Sequence, residues 1–254
     1  MTMKKKLSKF TLLRAAFNSF YIQASWNFER MQALGFVHCL SRAVRTLYDD
    51  PSMVKKSLLH HLEFFNTNPY LASTIVGVVL NLEEKHLENK NTDIDSGAIK
   101  ARLMGPFGAI GDSLFWATFR PLAAIIGTFL AFNGIKAAPV YFLIIYNIPT
   151  QAIRFVGLFK GYQFGLEVVD KIKKLNLNLY MSKMKGFSCF LLGLFLGTYI
   201  LSSSFHLKNM WAPANVVLGI ILVNAFMLAL RKKVPLVALI YILTIICIGI
   251  GYMN

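Results

Sequence analysis

The stretch RLMGPFGAIGDSLFWATFRPLAAIIGTFLAF, residues 102–132, decides how the fold is interpreted. It is apolar enough to lie in a bilayer, yet it contains Gly105, Gly108 and Gly111, two prolines and the charged Asp112. Helix breakers free backbone polar groups, which membrane segments tolerate only beside protein or a water-filled cavity. Broken segments of this kind commonly build substrate sites in transporters. We therefore predict a re-entrant hairpin beside a polar cavity, with close packing at the glycines as the alternative.

The composition of the whole chain predicts an integral membrane protein. Of its 254 residues, 56% are hydrophobic and 15% are charged, whereas soluble domains are about 45–50% apolar and about 25% charged. A net charge of +15 could indicate nucleic-acid binding. The basic residues adjoin apolar runs, however, where they mark the cytoplasmic face of a membrane. We expect membrane lipid as a partner and no nucleic acid.

Cysteine and histidine spacing does not favour a metal site or a cofactor. Cys39, Cys189 and Cys247 are far apart and form no CxxC pair, so buried free thiols are expected. His60 and His61 are adjacent and point to different faces of a helix, which argues against a shared metal. We therefore predict no metal, no cofactor and no autonomous catalytic group.

Residues 1–100 are predicted to form an amphipathic, interfacial and partly re-entrant region. Phe10, Leu13, Phe17 and Phe20 recur at helical intervals beside basic residues, which favours a helix in the membrane interface over one on a soluble core. The apolar run LASTIVGVVLNL is about 12 residues long, whereas a spanning helix needs about 20. This run fits a half-membrane segment, and the Glu83-Glu84 pair after it is predicted to begin a water-exposed excursion.

The rest of the chain completes an all-α membrane protein with a C-terminal transmembrane bundle. Asn133-Gly134 predicts a tight turn between two membrane helices. Basic clusters before residue 186 and at 231–233 would lie on one side of the membrane, with the C-terminus outside. The predicted segments are 101–153 for the re-entrant hairpin and membrane helices, 154–185 for a cytoplasmic basic segment, and 186–254 for spans near 186–205, 213–230 and 234–253.

Polar residues in two further segments are candidates for sugar binding. QASWNFERMQALGF, residues 23–36, is predicted as a helix that pairs Glu29 with Gln32 and places Asn27 on a neighbouring stripe. Amide and carboxylate groups beside an aromatic ring suit sugar hydroxyls, although an ordinary surface helix could have the same residues. Asn66 and Asn68 precede a proline and predict either a turn or a loop that presents amides to a ligand.

Asp112 belongs to a helical repeat with Trp116 and Arg120, every four residues. A charge within a membrane is costly and usually faces a bundle interior or a pathway. Asp112 and Arg120 are more than two helical turns apart, so each is expected to find its own partner. An anchor at the membrane interface is the alternative for Arg120.

Four blocks of the sequence resemble the IID component of the mannose/fructose/sorbose-family sugar phosphotransferase system (PTS) of bacteria. They are SWNFERMQALGF, HHLEFFNTNPYLASTIVGVVLNLEE, MGPFGAIGDSLFWATFRP and RKKVPLVALIYILTIICIGIGY, and they follow one another through nearly the whole chain. The resemblance implies a non-phosphorylated, multi-pass subunit of the bacterial cytoplasmic (inner) membrane. With a IIC membrane subunit it would form a hetero-oligomeric path for a hexose or amino-hexose, a hexosamine. Cytoplasmic IIA and IIB proteins would phosphorylate the sugar.

The resemblance also implies sugar recognition near the IIC–IID interface. The matching positions here are Asn27, Glu29, Gln32, Asn66 and Asn68, and Asp112 is a further candidate in the GPFGAIGD segment. The outer loop at 206–213 is short beside that of the well-known mannose members, so bacteriocin docking is not carried over to this chain.

Two other functions compete with this interpretation. A non-transporting scaffold for a cytoplasmic enzyme would have no use for polar groups at membrane depth. A stand-alone ion-coupled carrier is disfavoured because inverted repeats are not apparent, and because the first hundred residues need a partner to bury their apolar surface.

Overall fold

The regular structure of the described residues is helical, which confirms the predicted class. A computed structural model describes residues 6–88, 95–202 and 234–252, with isolated positions between 221 and 232. The chain divides into two units, Met1–Leu194 and Phe195–Asn254. The helices are α1 Lys9–Asn18, a 3₁₀ turn Ser19–Tyr21, α2 Ala33–Leu47, α3 Pro51–His60, α4 Ala72–Glu88, α5 Ser96–Gly111, a π-helical stretch Asp112–Phe119, α6 Arg120–Phe132, α7 Ala138–Phe164, α8 Glu167–Lys174, α9 Leu177–Ser202 and α10 Leu236–Tyr252.

Side-chain caps fix where several helices begin. The Ser8 hydroxyl accepts from the Thr11 N–H at 3.1 Å and starts α1. The Asp50 carboxylate accepts from the Ser52 N–H at 2.9 Å ahead of α3, and the carboxylate of Asp95 accepts from Gly97 at 2.8 Å ahead of α5. Each cap satisfies an N–H that has no partner within its helix.

The N-terminal helix α1 is apolar on two sides. Leu12 and Ala16 are buried against the first unit, whereas Phe10 and Phe17 are exposed. Phe17 also packs edge-on against Phe155 of α7, with ring centroids 5.2 Å apart. An exposed aromatic side next to basic residues suits the membrane interface, so this location stays a prediction.

Helix α4 is the centre of the first unit. Every residue from Leu71 to Leu80 is buried. Its backbone approaches that of α7 so closely that a Cβ on Gly77 would lie 2.2 Å from the Leu158 carbonyl oxygen. On the α7 side, a Cβ on Gly161 would lie 2.3 Å from the carbonyl oxygen of Thr74. Small residues allow such close helix contact, which explains why the first part of α4 is enclosed by protein.

Replacing Gly161 by alanine is expected to lower the unfolding free energy by about 1–3 kcal/mol, the usual cost of overpacking. The clashing atom belongs to the backbone of α4, so relief requires the two helices to move apart. Thermal unfolding of the purified protein in detergent measures the change. Gly186→Ala is the matched control, because no atom lies within 4 Å of a Cβ at that helical position. Equal melting temperatures for the two variants would contradict this account of the α4–α7 contact.

The predicted chain reversal in the GPFGAIGD segment is wrong. Residues Ser96–Phe132 form one 37-residue helical run, which passes through Pro106 and a π-helical stretch. A continuous helix keeps most backbone groups bonded within the segment, which lipid requires, and the glycines serve packing instead. The chain turns afterwards, at the predicted Asn133-Gly134, where Gly134 has a φ of 76°.

Within the part of the chain that the structure describes, two helical runs are long and apolar enough to cross a membrane, Ser96–Phe132 and Ala138–Phe164. The predicted boundary at residue 154 falls inside the second of these, so the basic segment begins later, around α8. The spans predicted near 186–205 and 234–253 overlap α9 and α10. The span predicted at 213–230 and the short loop at 206–213 lie largely or wholly outside the described residues.

Candidate functional site

Two non-helical segments, residues 22–32 and 61–71, lie side by side and are called the paired loops below. The Gln32 N–H donates to the Phe65 carbonyl at 2.8 Å, and the Phe65 N–H donates to Arg30 at 3.4 Å. The helix predicted through residues 23–32 is therefore wrong. The Asn27 side chain accepts from the Arg30 N–H at 2.8 Å, and Met31 has a left-handed φ of 53°. This local turn delays the start of α2 until Ala33.

The second of the paired loops runs along α5. At its start, the His61 carbonyl accepts from the Lys100 ammonium at 3.2 Å. Further on, the Thr67 hydroxyl donates to the Met104 carbonyl at 2.9 Å. At its end, the Asn68 amide donates to the Asp112 carboxylate at 2.9 Å, near the middle of the 37-residue helical run. Helix α4 then returns alongside, so residues 61–88 form a hairpin of one extended arm and one helical arm.

The glycines of α5 provide the surface that receives this loop. A Cβ on Gly111 would lie 2.3 Å from the Cβ of Asn68, and one on Gly108 would lie 3.7 Å from the Thr67 hydroxyl. The broken backbone predicted for this part of the protein therefore exists, but residues 61–71 supply it and the GPFGAIGD segment packs against it.

Two of the predicted site residues hold the paired loops together. Gln32 is 2% exposed; its amide donates to the Thr67 carbonyl at 2.9 Å and accepts from the Thr67 N–H at 3.1 Å. Asn68 is also 2% exposed and uses its oxygen to accept from the Tyr70 N–H at 3.1 Å, while its NH₂ binds Asp112. Their hydrogen-bonding groups are largely used within the protein, so both side chains fix the loops in place.

The remaining predicted residues present polar groups at the surface. Asn66 and Asp112 are exposed, and Asn27 is half-buried. Glu29 is exposed and forms an ion pair with Arg30 at 3.3 Å. The structure thus brings Asp112 into contact with Asn68, two residues after Asn66 in the loop, whereas Asn27 and Glu29 lie in the neighbouring loop.

Exposed aromatic rings accompany these polar groups. Trp26 and Phe28 pack edge-on with centroids 5.0 Å apart, and Phe28 is 86% exposed. Trp116 follows Asp112 by one turn and lies under the Arg120 guanidinium, whose Cζ is 5.6 Å from the ring centroid. Arg120 thus contacts an aromatic ring and Asp112 contacts an amide, in line with the expectation of separate partners.

Arg154 is a buried positioning residue that the sequence reasoning missed, because it was assigned to the start of the cytoplasmic segment. Only 5% exposed, it donates to the Ser19 carbonyl and lies over the rings of Phe20 and Tyr70, at 4.5 and 5.3 Å. It thereby joins α7 to the 3₁₀ turn and to the second paired loop. The available signal was a single arginine within an otherwise apolar stretch, which favours burial with a partner.

Glu83 was also missed, and the prediction that it begins a water-exposed excursion is wrong. It is 6% exposed and accepts four side-chain hydrogen bonds. Glu83 and its four donors form the Glu83 cluster. The donors are Tyr48 at 2.9 Å, Ser57 at 3.1 Å, His61 at 3.1 Å and Ser96 at 2.7 Å. Burial alone raises the pKa of this carboxyl, but the bonds from His61, Ser96 and Tyr48 lower the pKa to about 2. The cluster joins α2, α3, α4 and α5 at the base of the hairpin.

The neighbouring polar residues are likewise engaged in structure. Glu84 accepts from the Leu7 N–H at 2.9 Å and from the Tyr162 hydroxyl. His60 pairs with Asp95 at 2.9 Å, so the adjacent histidines bind different carboxylates. No three metal-binding side chains converge within the described ranges.

Comparison with known proteins identifies the family of this chain. The sequence model of the PTS mannose/fructose/sorbose family IID component matches residues 6–254. The chain belongs to this family. The resemblance identified from the four sequence blocks is thereby confirmed.

Curated relatives agree with the assignment of this IID chain. The mannose-specific EIID component of Escherichia coli K12 is 37% identical over 219 residues, which cover 85% of this chain and 72% of the relative. The sorbose-specific EIID component of Klebsiella pneumoniae is 35% identical, and the alignment covers 76% of this chain and 69% of the relative. The fructose permease IID component of Bacillus subtilis is 35% identical, and the alignment covers 68% of this chain and 63% of the relative.

Solved structures resemble the IID chain over nearly its whole length. A membrane protein structure aligns with a TM-score of 0.76 at 31% identity, covering 98% of both chains. A chain of the mannose transporter ManYZ, solved with microcin E492, aligns with a TM-score of 0.59 at 32% identity, covering 98% and 97%. The IID chain is thus a bacterial membrane subunit that works with a IIC subunit in a sugar phosphotransferase complex.

Proposed function

We propose that this IID chain and its IIC partner form the translocation path for a hexose or amino-hexose, and that the paired loops with Asp112 are the part of this chain that faces the sugar. One observation carries the proposal. Two exposed polar residues accompany the buried Asn68 beside the middle of a helix that is long enough to cross a membrane: Asp112 accepts its amide hydrogen bond, and Asn66 precedes it by two residues in the same loop. Irregular backbone at that depth requires protein or a water-filled cavity around it.

The chemistry of these groups suits a sugar. A hydroxyl both donates and accepts hydrogen bonds, as an amide does, while a carboxylate accepts strongly. Asn27 and Glu29 would extend the polar rim, and the exposed aromatic rings would pack on the apolar face of the sugar ring. Gln32 and Asn68 hold the loops rigid, so little ordering is needed when the sugar binds.

Phosphate transfer belongs to other proteins in this proposal. Cytoplasmic IIA and IIB proteins pass phosphate to the sugar, which prevents its return, and this chain has no catalytic role. The pairing of His60 with Asp95 and of His61 with Glu83 supports this, since both imidazoles are engaged in structural contacts. The chain would cross the bacterial cytoplasmic membrane several times, beginning with the two helical runs joined at Asn133-Gly134.

Replacing Asp112 by asparagine is expected to reduce sugar uptake about tenfold or more while the IIC–IID complex still assembles, since a hydrogen bond to a charged group contributes about 1.5–3 kcal/mol. The new amide keeps an oxygen to accept from Asn68, so the loop stays in place, but the negative charge is lost. The measurement is uptake of labelled hexoses and hexosamines in cells that co-express the IIC partner and lack other transporters for these sugars.

Asp170→Asn on α8 is the matched control, because Asp170 is exposed and pairs only weakly with Lys173, at 3.7 Å. Loss of co-purifying IIC in the Asp112 variant would make Asp112 structural, and unchanged uptake would remove it from the path. A non-transporting scaffold would also tolerate Asn66→Ala. Full transport by this chain without IIC would favour a stand-alone carrier and overturn the proposal.

A further inference from the structure

An apolar groove of about 380 Å³ lies between α5, α7 and α8, with Leu71 at the end of the second paired loop among its lining residues and no residue of the Glu83 cluster. Phe107 and Ile110 of α5 and Leu114 of the π-helical stretch line one part of the groove, while Val156 of α7 and Ile172 of α8 line another. A groove walled almost entirely by hydrocarbon side chains favours an apolar occupant over a sugar or an ion.

Two lysines stand at the mouth of this groove and share one aromatic ring. The ammonium groups of Lys160 and Lys171 lie 5.2 and 4.0 Å from the centroid of Phe164. Lys160 donates to the amide oxygen of Gln163 at 3.1 Å, and neither lysine has a carboxylate within ion-pair distance among the described residues. Two cations beside one ring without a counter-charge attract an anion.

The local fold places this pair at the end of a candidate membrane helix. Helix α7 stops at Phe164 because Gly165 adopts a φ of 54°, and α8 then turns back against the groove with Val168 buried. Helix α8 presents Val168, Lys171 and Ile172 to the groove, whereas Lys173 and Lys174 do not line it. Such a mixture of apolar and basic faces is typical of helices at the membrane surface. The charged mouth therefore lies where lipid headgroups are expected, and the apolar walls lie where acyl chains are expected.

We propose that this groove binds an anionic glycerophospholipid, with its phosphate between Lys160 and Lys171 and an acyl chain against α5 and α7. The two lysine charges have no counter-charge, so they favour an anionic lipid over a zwitterionic one. The phosphate group can accept hydrogen bonds from both ammonium groups. Bound lipid would hold α8 at the membrane surface. This inference depends on the membrane location of the chain and is independent of the sugar path.

The test measures lipid bound to the IIC–IID complex, purified in an uncharged detergent and titrated with dioleoyl-phosphatidylglycerol or dioleoyl-phosphatidylcholine, by native mass spectrometry. Each lysine near a lipid surface is expected to change affinity about fivefold, so Lys160→Gln with Lys171→Gln should weaken phosphatidylglycerol binding about 25-fold. Phosphatidylcholine binding should be weak and unaffected. The double variant Lys173→Gln with Lys174→Gln is the matched control, since these lysines lie on the same helix but do not line the groove.

A second variant tests the apolar part of the site. Val156→Trp fills the groove and should abolish phosphatidylglycerol binding even though both lysines remain, while co-purification with IIC shows that the chain is folded. Equal lipid binding by the wild type and the Lys160/Lys171 variant would overturn the proposal. Full competition by inorganic phosphate alone would also overturn it, because it would indicate a free-anion site. Crosslinking of a Val156→Cys variant to IIC in the native complex would show that protein covers the groove and would likewise refute it.

Discussion

Replacing Glu83 by alanine is expected to lower the unfolding free energy of the IIC–IID complex by about 3–5 kcal/mol, the range measured when one partner of a buried pair is removed. Glu83 accepts from Tyr48, Ser57, His61 and Ser96, so its loss leaves several buried donors without an acceptor. Each unsatisfied buried donor costs about 1–3 kcal/mol. Thermal unfolding in detergent should show a decrease of roughly 10 °C in melting temperature.

Two further variants separate the role of the charge from general sensitivity at this position. Ser57→Ala removes one donor and leaves Glu83 with three, so it should cost only about 1 kcal/mol. Glu83→Gln keeps the shape but directs an NH₂ group at the surrounding donors, and should destabilise more than Ser57→Ala. If Glu83→Ala melts within about 2 °C of the wild type, the cluster is not what holds the base of the hairpin together.

Replacing Gly111 by alanine is expected to reduce sugar uptake about tenfold or more, which corresponds to about 1.4 kcal/mol. The added Cβ would lie 2.3 Å from the Cβ of Asn68 and 2.4 Å from its Cγ, so the asparagine must move. That movement breaks its hydrogen bond to Asp112 and displaces the loop that presents Asn66. Uptake of labelled hexose in cells that co-express IIC gives the measurement.

Gly105→Ala provides the matched control on the same helix. A Cβ at Gly105 would meet no atom within 4 Å, so uptake should be normal. Its helix should become more stable by about 0.5–1 kcal/mol, the usual gain when alanine replaces a helical glycine. Similar uptake in the two variants would show that the contact between α5 and the paired loops is unimportant for transport. Loss of IIC co-purification in Gly111→Ala alone would instead indicate failed assembly.

The fold class and the family could be predicted from the sequence because both depend on local features. Apolar content, clustered basic charge and four ordered sequence blocks are properties of the linear chain. The turn at Asn133-Gly134 was predictable for the same reason, since these two residue types readily adopt a left-handed backbone.

The predictions made from local sequence patterns were wrong where a contact with a distant part of the chain outweighed the local preference. Residues 23–32 have a helical pattern, but Asn27 and Met31 form a turn that pairs with Phe65. Gly105 to Gly111 have the composition of a break, yet the helix continues through them and their surface receives Asn68. In each case the partner lies more than 30 residues away in the chain, beyond the reach of any local pattern.

By itself, the sequence determined that this protein is a helical membrane subunit of its family, because hydrophobicity and residue order require no knowledge of contacts. The tertiary structure alone decided which polar residues are buried in structural contacts and which stay exposed. Glu83 and Arg154 are buried because hydroxyl, imidazole, carbonyl and aromatic groups from other helices surround them. Asn68 is buried and makes hydrogen bonds to Asp112 and to the Tyr70 N–H, whereas Asn66 and Asp112 stay exposed.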